Sequence, residues 1–114
     1  MNNLRNSVRL IGNLGANPEV KSLEKGNKMA KFTLATNESY SDKEGKKVTE
    51  TQWHNIIAWG KTAEIVEEFL AKGSEVAIEG KLTTRSYDGK DGDKKYFTEI
   101  VMNEMLMLGK KHQD

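Results

Sequence analysis

Both tryptophans of the chain lie in one short segment, TQWHNIIAWGK, which spans residues 51–61. Successive side chains of a β-strand point to opposite faces, so every second residue of this segment would share a face. One face would carry Trp53, Asn55, Ile57 and Trp59, and the other His54, Ile56 and Ala58. Two indoles on one face, with an amide between them, would make an unusual hydrophobic core.

Two tyrosines stand next to basic residues at the edges of predicted charged loops. Tyr40 precedes Lys43, and Tyr87 follows Arg85. Aromatic rings interleaved with Lys and Arg are typical of sequence-tolerant binding to a single-stranded nucleic acid, because every base has a face that can stack and every phosphate carries a charge. Each stacked base contributes ~1–3 kcal/mol, whereas an exposed ion pair contributes ~1 kcal/mol or less. The competing interpretation places the tryptophans in the core, which composition alone favours.

Sequence patterns typical of enzymes are weak. Residues Ser22 and Lys25 match the S-x-x-K spacing, but they lie in a polar loop without the companion motifs of that catalytic group. The sequence has no phosphate-binding loop, no dinucleotide fingerprint and no cluster of metal ligands, and His54 and His112 are far apart. We therefore predict a protein that is not an enzyme and that needs neither a cofactor nor a metal.

The composition predicts one soluble domain with almost no net charge. At 114 residues the chain is long enough to fold without disulfides, and it contains no Cys, as is usual in a reducing compartment. There is no apolar run of signal-peptide or membrane-spanning length, so we expect a cytoplasmic protein with no membrane partner. Because 18 Lys and Arg oppose 17 Asp and Glu, only the placement of the charges can indicate a polyanionic partner.

Alternating apolar residues and turn signals predict five strands. They cover about residues 7–14, 29–36, 51–59, 76–87 and 95–108. A charged hairpin tip is expected over residues 39–50, and Gly80 indicates a bulge or sharp bend within the fourth strand.

One amphipathic helix is expected between the third and fourth strands. Its apolar face would carry Ile65, Val66, Phe69 and Leu70, and Gly73 would supply a left-handed cap just after its end. This order of elements is typical of an all-β fold, a five-stranded OB-fold barrel with one α-helix between strands 3 and 4. A two-layer α+β sandwich is the competing architecture.

Several strings, in the same order, closely resemble the bacterial single-stranded DNA-binding proteins over nearly the entire chain. They are GNLGANPEV, FTLATNES, TQWHNIIAWGK, AKGSEVAIEGKLTTRSY and the closing MLG. The resemblance implies an OB-fold subunit, usually a homotetramer, that binds single-stranded DNA without sequence preference or catalysis during replication, recombination and repair. It also implies a bacterial protein, either nucleoid-associated or encoded by a mobile element.

The resemblance also implies roles for particular residues. The positions that stack bases in this family correspond to Tyr40, Trp53, Trp59 and Tyr87, and His54 corresponds to a position at a subunit contact. The basic positions that carry over are Lys21, Lys43, Lys61, Lys72 and Arg85. Tyr replaces the more usual Trp at 40 and 87, and Asn55, Thr83 and Ser86 replace residues that are often basic, so we expect lower affinity and a different wrapping mode.

The end of the sequence also departs from the family pattern. Residues 1–109 would form the OB-fold domain, and residues 110–114 a short polar end in place of the usual acidic tail that recruits partner enzymes. We therefore expect no tail-mediated recruitment. The alternative functions are a primosome-type OB protein, which usually dimerises, and a protein-binding β-barrel with no nucleic acid partner.

Overall fold

The computed structural model describes residues 4–108, so Gly109 and the proposed polar end at 110–114 lie outside the described residues. Within that range the chain forms six strands, one α-helix and a single 3₁₀ turn at Glu24–Gly26. The elements are β1 Val8–Leu14, β2 Glu19–Ser22, β3 Lys28–Ser41, β4 Lys47–Trp59, α1 Gly60–Phe69, β5 Glu75–Asp88 and β6 Lys94–Met107. All five predicted strands are present. The sequence did not predict β2, because its four residues are too few to show a period.

Five of the strands close into a barrel. They are hydrogen-bonded in the order β1-β5-β6-β4-β3, and β1 pairs back with β3 at Asn13↔Ala35 and Leu14↔Leu34. The β4–β6 pairing is parallel and short, and β2 extends the sheet beyond β3. The closed barrel, with α1 between the third and fourth predicted strands, confirms the OB-fold and excludes the two-layer sandwich.

The core fills the inside of the barrel mainly with alternate residues of β1, β3, β4, β5 and β6, although Ile57 and Glu99 on the outer face are buried as well. Along β3 the alternation is clear, since Ala30, Phe32 and Leu34 are buried while the residues between them are half-exposed. Helix α1 packs against β3, β4 and β6. Its ten residues are too few to cross a membrane, and no helix in the described part of the chain is long and apolar enough to do so.

The predicted apolar face of α1 is partly wrong. Val66 and Leu70 are buried as expected, but Ile65 and Phe69 are 42% and 52% exposed, and the third buried residue of this face is Ala63. Apolar residues on both sides of the helix made its periodicity ambiguous. The helix starts at Gly60, directly after β4. The direction of the chain at the end of β4 therefore determines which side of the helix packs against the barrel.

The contacts around α1 show how it is held. Lys28 Nζ donates a hydrogen bond to Glu67 Oε1 at 2.5 Å, and this bond, with the negative charge of Glu67, raises the pKa of Lys28 above its ordinary value.

Gly73 has the expected positive φ of 90°, but it is not a helix cap. It lies in the turn after the helix, where the backbone N–H of Ser74 donates to the carbonyl of Ala71.

Two long hairpins extend from the barrel. The β3–β4 ladder continues to Ser41↔Lys47, so its turn occupies only residues 42–46 and the predicted loop at 39–50 was too long. Asp42 Oδ1 accepts the backbone N–H groups of Glu44 and Lys46, which stabilises this turn. The β5–β6 ladder shifts register between Glu79 and Gly80, which confirms the predicted bulge.

Candidate nucleic-acid interface

Both tryptophans lie on the outer face of β4. Trp53 is 60% exposed and Trp59 is 48% exposed, whereas Ile56 and Ala58, on the opposite face, belong to the core. The predicted alternation is therefore confirmed, and the interpretation that the indoles are core residues is wrong. The two rings are available to a ligand on the same side of one strand.

Gly15 determines how closely the Trp53 ring approaches the barrel. A Cβ atom at Gly15 would lie 2.5 Å from Cζ3 and 2.9 Å from Cη2 of the indole, and 3.2 Å from Thr33 Oγ1. Such distances are far below a normal van der Waals contact, so the ring occupies the space that a side chain at position 15 would need. The exposed indole thus rests on backbone and has a defined position.

A groove joins Trp59 to strands β5 and β6. It has a volume of about 330 Å³ and is lined by Met29, Lys31, Ile57, Trp59, Thr83, Arg85, Glu99 and Val101. Glu99 also lines the neighbouring cavity that contains Asn55 and Phe97, and a shallow cavity beside Trp53. This carboxylate therefore lies centrally between the two tryptophans.

Arg85, Glu99 and Phe97 form a cluster between this groove and the neighbouring cavity. Nε and Nη2 of Arg85 lie 3.0 and 2.9 Å from the same oxygen, Oε1 of Glu99. The guanidinium carbon lies over the Phe97 ring, 5.4 Å from its centroid, within the range of a cation–π interaction. The sequence analysis singled out neither Phe97 nor Glu99 as a site residue. The signal that could have indicated both is the strand alternation that puts them on one face with Val101.

The four predicted lysines are all exposed but are spread over different elements. Lys21 lies opposite Met29 across β2 and β3, and Met29 lies opposite Trp59, so all three share a face. Lys43 is in the turn between β3 and β4, and Lys61 is in the first turn of α1. The backbone N–H of Lys72 donates to Asn17 Oδ1 in the turn after the helix. Among these lysines, the strand register brings Lys21 to the Trp59 face.

The two tyrosines lie near the ends of the long hairpins. Tyr40 is 50% exposed, and its hydroxyl donates to Glu50 Oε2 at 3.4 Å. By strand alternation it is on the face of the β3–β4 hairpin opposite the tryptophans. Tyr87 is 55% exposed and shares the face of Arg85. The structure thus gathers Trp59 and Arg85 in one groove, with Trp53 beside it, and leaves the tyrosines towards the hairpin ends.

His54 lies on the opposite face of β4 and is half-buried. Its Nε2 atom is 3.0 Å from Thr36 Oγ1, and it lines the shallow cavity that also contains Leu82 and Ile100. Within residues 4–108 no group of three or more His, Asp or Glu side chains is placed to hold a metal ion. The chemistry that these outer surfaces offer is stacking, hydrogen bonding and charge.

Comparisons with known proteins identify relatives over almost the whole chain. The chain is 51% identical over 107 residues to single-stranded DNA-binding protein 1 of Chlorobaculum tepidum, covering 93% of this chain and 66% of that protein. It is 44% identical over 110 residues to single-stranded DNA-binding protein 1 of Xylella fastidiosa, covering 96% and 81%. The single-stranded DNA-binding protein of Neisseria meningitidis is 43% identical, and the chain spans 63% of its length.

A solved structure shows the same fold. The structure described as the Plasmodium falciparum SSB complex with ssDNA superposes with a TM-score of 0.81 at 33% identity, covering 91% of this chain and 95% of that one. The model of the single-strand binding protein family matches residues 5–108. This match includes almost every described residue, and the chain therefore belongs to the single-strand binding protein family.

Proposed function

We propose that this protein binds single-stranded DNA with little sequence preference and protects it during replication, recombination and repair, without catalysing a reaction. The observation that carries the proposal is the exposure of Trp53 and Trp59 on one face of β4, beside a groove that contains Arg85. An indole that is half exposed contributes less to packing than a buried one, and its open face is a suitable surface for a base. The names of the Chlorobaculum and Xylella relatives support the same partner.

Stacking is expected to contribute more to this binding than charge. Each base stacked on an aromatic ring contributes ~1–3 kcal/mol, and every base offers such a face, which makes the interaction tolerant of sequence. The chain has a net charge of only +1, so it lacks the broad positive field of a strongly basic DNA-binding protein.

The proposed interface extends beyond the central groove. The stacking residues that we propose are Tyr40, Trp53, Trp59 and Tyr87. The basic residues that we propose in the same interface are Lys21, Lys43, Lys61, Lys72 and Arg85. All nine are exposed, so none needs a rearrangement of the core to reach DNA.

We also propose that the OB-fold domain, residues 1–109, assembles into a homotetramer in the cytoplasm. An apolar row crosses the outer face of β1, β5 and β6, where Ile11 lies opposite Ala77 and Ala77 lies opposite Leu106. Ile11 is 59% exposed and Leu106 is 64% exposed. A face of this kind would be covered in a closed assembly. His54, on a different surface beside Leu82, is proposed to lie at a second subunit contact.

Fluorescence titration with oligo-dT tests the proposal directly. Stacking on Trp53 and Trp59 should quench tryptophan emission, and the titration should saturate, whereas duplex DNA of the same length should have little effect. Unchanged emission at a DNA concentration where an independent assay shows saturation would remove the tryptophans from the interface. Absence of binding by both assays would refute the function.

Light scattering tests the assembly separately. We expect a particle of four times the 12.8 kDa chain mass at micromolar concentration. A particle of one chain mass would contradict the tetramer but not DNA binding, and a stable dimer would favour the primosome-type alternative.

A further inference from the structure

We propose that Arg85, Phe97 and Glu99 form an additional base-stacking platform at the edge of the Trp59 groove, in which Arg85 presents the flat face of its guanidinium to a base and does not contact a phosphate. This inference rests on the proposed function, since it specifies how one part of the interface binds DNA. It assigns Phe97 and Glu99 to the site. It also changes the expected role of Arg85 from a positive charge that binds a phosphate to a flat surface that stacks on a base.

Strand register puts the three side chains on one face. Arg85 lies directly opposite Phe97 across β5 and β6, and Thr83 lies opposite Glu99, so Arg85 and Glu99 are diagonal neighbours. The side chain of Arg85 is 63% exposed, whereas that of Glu99 is 7% exposed and Phe97 is half-buried. The guanidinium therefore covers the ring and the carboxylate, with its outer side open to the groove.

The ion pair determines what that outer side can bind. Glu99 is a buried carboxylate, and a buried charge is stable only when it is paired and hydrogen-bonded. Arg85 supplies two N–H donors to it, at 3.0 and 2.9 Å. A DNA phosphate that drew the guanidinium away would leave Glu99 buried without a partner, which is costly, and one that bound the remaining N–H donors would meet a guanidinium whose charge Glu99 already neutralises. We therefore expect Arg85 to keep its position when DNA binds.

A fixed guanidinium is a good stacking surface. It is planar and delocalised, and bases stack on Arg planes as they do on aromatic rings. Glu99 and the Phe97 ring hold the group from two sides, so little side-chain freedom remains to be lost on binding. Because Trp59 and Arg85 line the same groove, neighbouring bases of one strand could occupy both surfaces.

Substitutions at Arg85 separate stacking from phosphate binding. Arg85→Lys keeps the positive charge but loses the planar group, so the platform predicts that it weakens oligo-dT binding by at least about 5-fold, as Arg85→Gln does. The platform also predicts that the slope of log K against log salt is unchanged in Arg85→Lys, which keeps the charge balance with Glu99. A phosphate contact predicts near wild-type affinity for Arg85→Lys, and a slope shallower by about 0.7 when Arg85→Gln is combined with Glu99→Gln. That second pattern would overturn the proposal.

Phe97 and Glu99 provide independent tests. Phe97→Leu keeps an apolar side chain of similar size but removes the ring, and we expect weaker binding with an unchanged salt slope. Wild-type affinity in this variant would show that the ring does not matter and would refute the platform. Glu99→Gln releases the charge of Arg85, so the salt slope should become steeper by up to about 0.7. An unchanged slope would show that Glu99 does not neutralise Arg85 and would also overturn the proposal.

A double variant separates a loss of DNA binding from a loss of folding. Arg85→Gln alone leaves Glu99 unpaired and could destabilise the barrel, whereas Arg85→Gln combined with Glu99→Gln leaves no buried charge. The double variant should unfold at a temperature close to that of the wild type and still bind DNA at least about 5-fold more weakly, with an unchanged slope. Wild-type affinity of this folded variant would contradict the platform. If wild-type protein itself fails to bind oligo-dT, the proposed function fails instead, which keeps the two outcomes distinct.

Discussion

A substitution at Gly15 can displace the Trp53 ring without changing Trp53 itself. The Trp53 indole lies where a Cβ atom at position 15 would be, 2.5 Å from Cζ3. Gly15 does not have a left-handed φ, so its backbone conformation is open to alanine. Gly15→Ala should therefore fold normally and push the indole away from the barrel.

The size of the displacement follows from the contact distance. Carbon atoms in contact are separated by about 3.5–4.0 Å, so the ring has to move by roughly 1–1.5 Å. Because Trp53 is 60% exposed, the ring can swing towards solvent, and the free energy of unfolding should fall by less than about 1 kcal/mol. Stacking on the displaced ring should be weakened by up to the ~1–3 kcal/mol that a base–aromatic contact provides.

A background variant makes the change measurable. In Trp59→Phe protein, the emission comes from Trp53 alone, since the chain has two tryptophans. Adding Gly15→Ala should raise the dissociation constant for oligo-dT and change the extent of quenching, with the thermal midpoint shifted by only a few degrees. Unchanged affinity and quenching would show that the position of Trp53 on Gly15 is irrelevant to binding. Loss of the folded barrel would show that the indole has a packing role that its exposure conceals.

Further predictions concern binding, fold and assembly. Trp53→Ala should weaken oligo-dT binding by ~1–3 kcal/mol in fluorescence anisotropy titrations while leaving the circular dichroism spectrum unchanged. For an oligonucleotide that occupies one subunit, the salt slope should be no steeper than about −2.8, the sum for four lysine contacts. Gly12→Ala should lower the free energy of chemical unfolding by more than ~2 kcal/mol, because its Cβ would lie 2.1 Å from the Ala35 carbonyl oxygen at the barrel closure. Ile11→Glu should lower the mass measured by light scattering, because it puts a charge into the apolar row.

The strand elements and one face of the site were predictable from sequence because they depend on local alternation. The period of two along β4 separated Trp53 and Trp59 from Ile56 without any knowledge of the other strands, and the structure keeps that separation. Composition alone pointed to a core role for the indoles. Strand periodicity predicted the exposure of the indoles better than composition did, because it compares each residue with its neighbours in the same strand.

The helix and β2 show where local patterns are insufficient. Phe69 and Val66 are both apolar and fall on adjacent sides of α1, so the sequence contains two possible inward faces. Which face packs inwards depends on the direction of the chain where β4 ends and α1 begins, and the barrel as a whole determines that direction. Strand β2 forms because β3 offers an unpaired edge, and its own four residues carry almost no strand signal.

The contacts of Arg85 with Phe97 and Glu99 could not be predicted, because they depend on the register between two strands. Phe97 and Glu99 meet Arg85 only because β5 pairs with β6 in the alignment observed after the bulge at Gly80. A shift of one residue would turn Glu99 to the opposite face. The spacing of residues within either strand does not predict how the two strands align.

In the proposed interface, the same cluster would allow a nearly neutral chain to have a groove suited to a polyanion. A carboxylate in a DNA groove would normally repel phosphate, but Glu99 is buried and paired, so its charge is cancelled at the surface by Arg85. Similarly, Glu67 is paired with Lys28 and Glu79 with Arg9, which reduces the repulsion from these acids. The proposed groove therefore offers DNA mainly flat surface, with few unpaired charges. Since stacking is little affected by screening, we expect binding to persist at salt concentrations that remove most phosphate contacts.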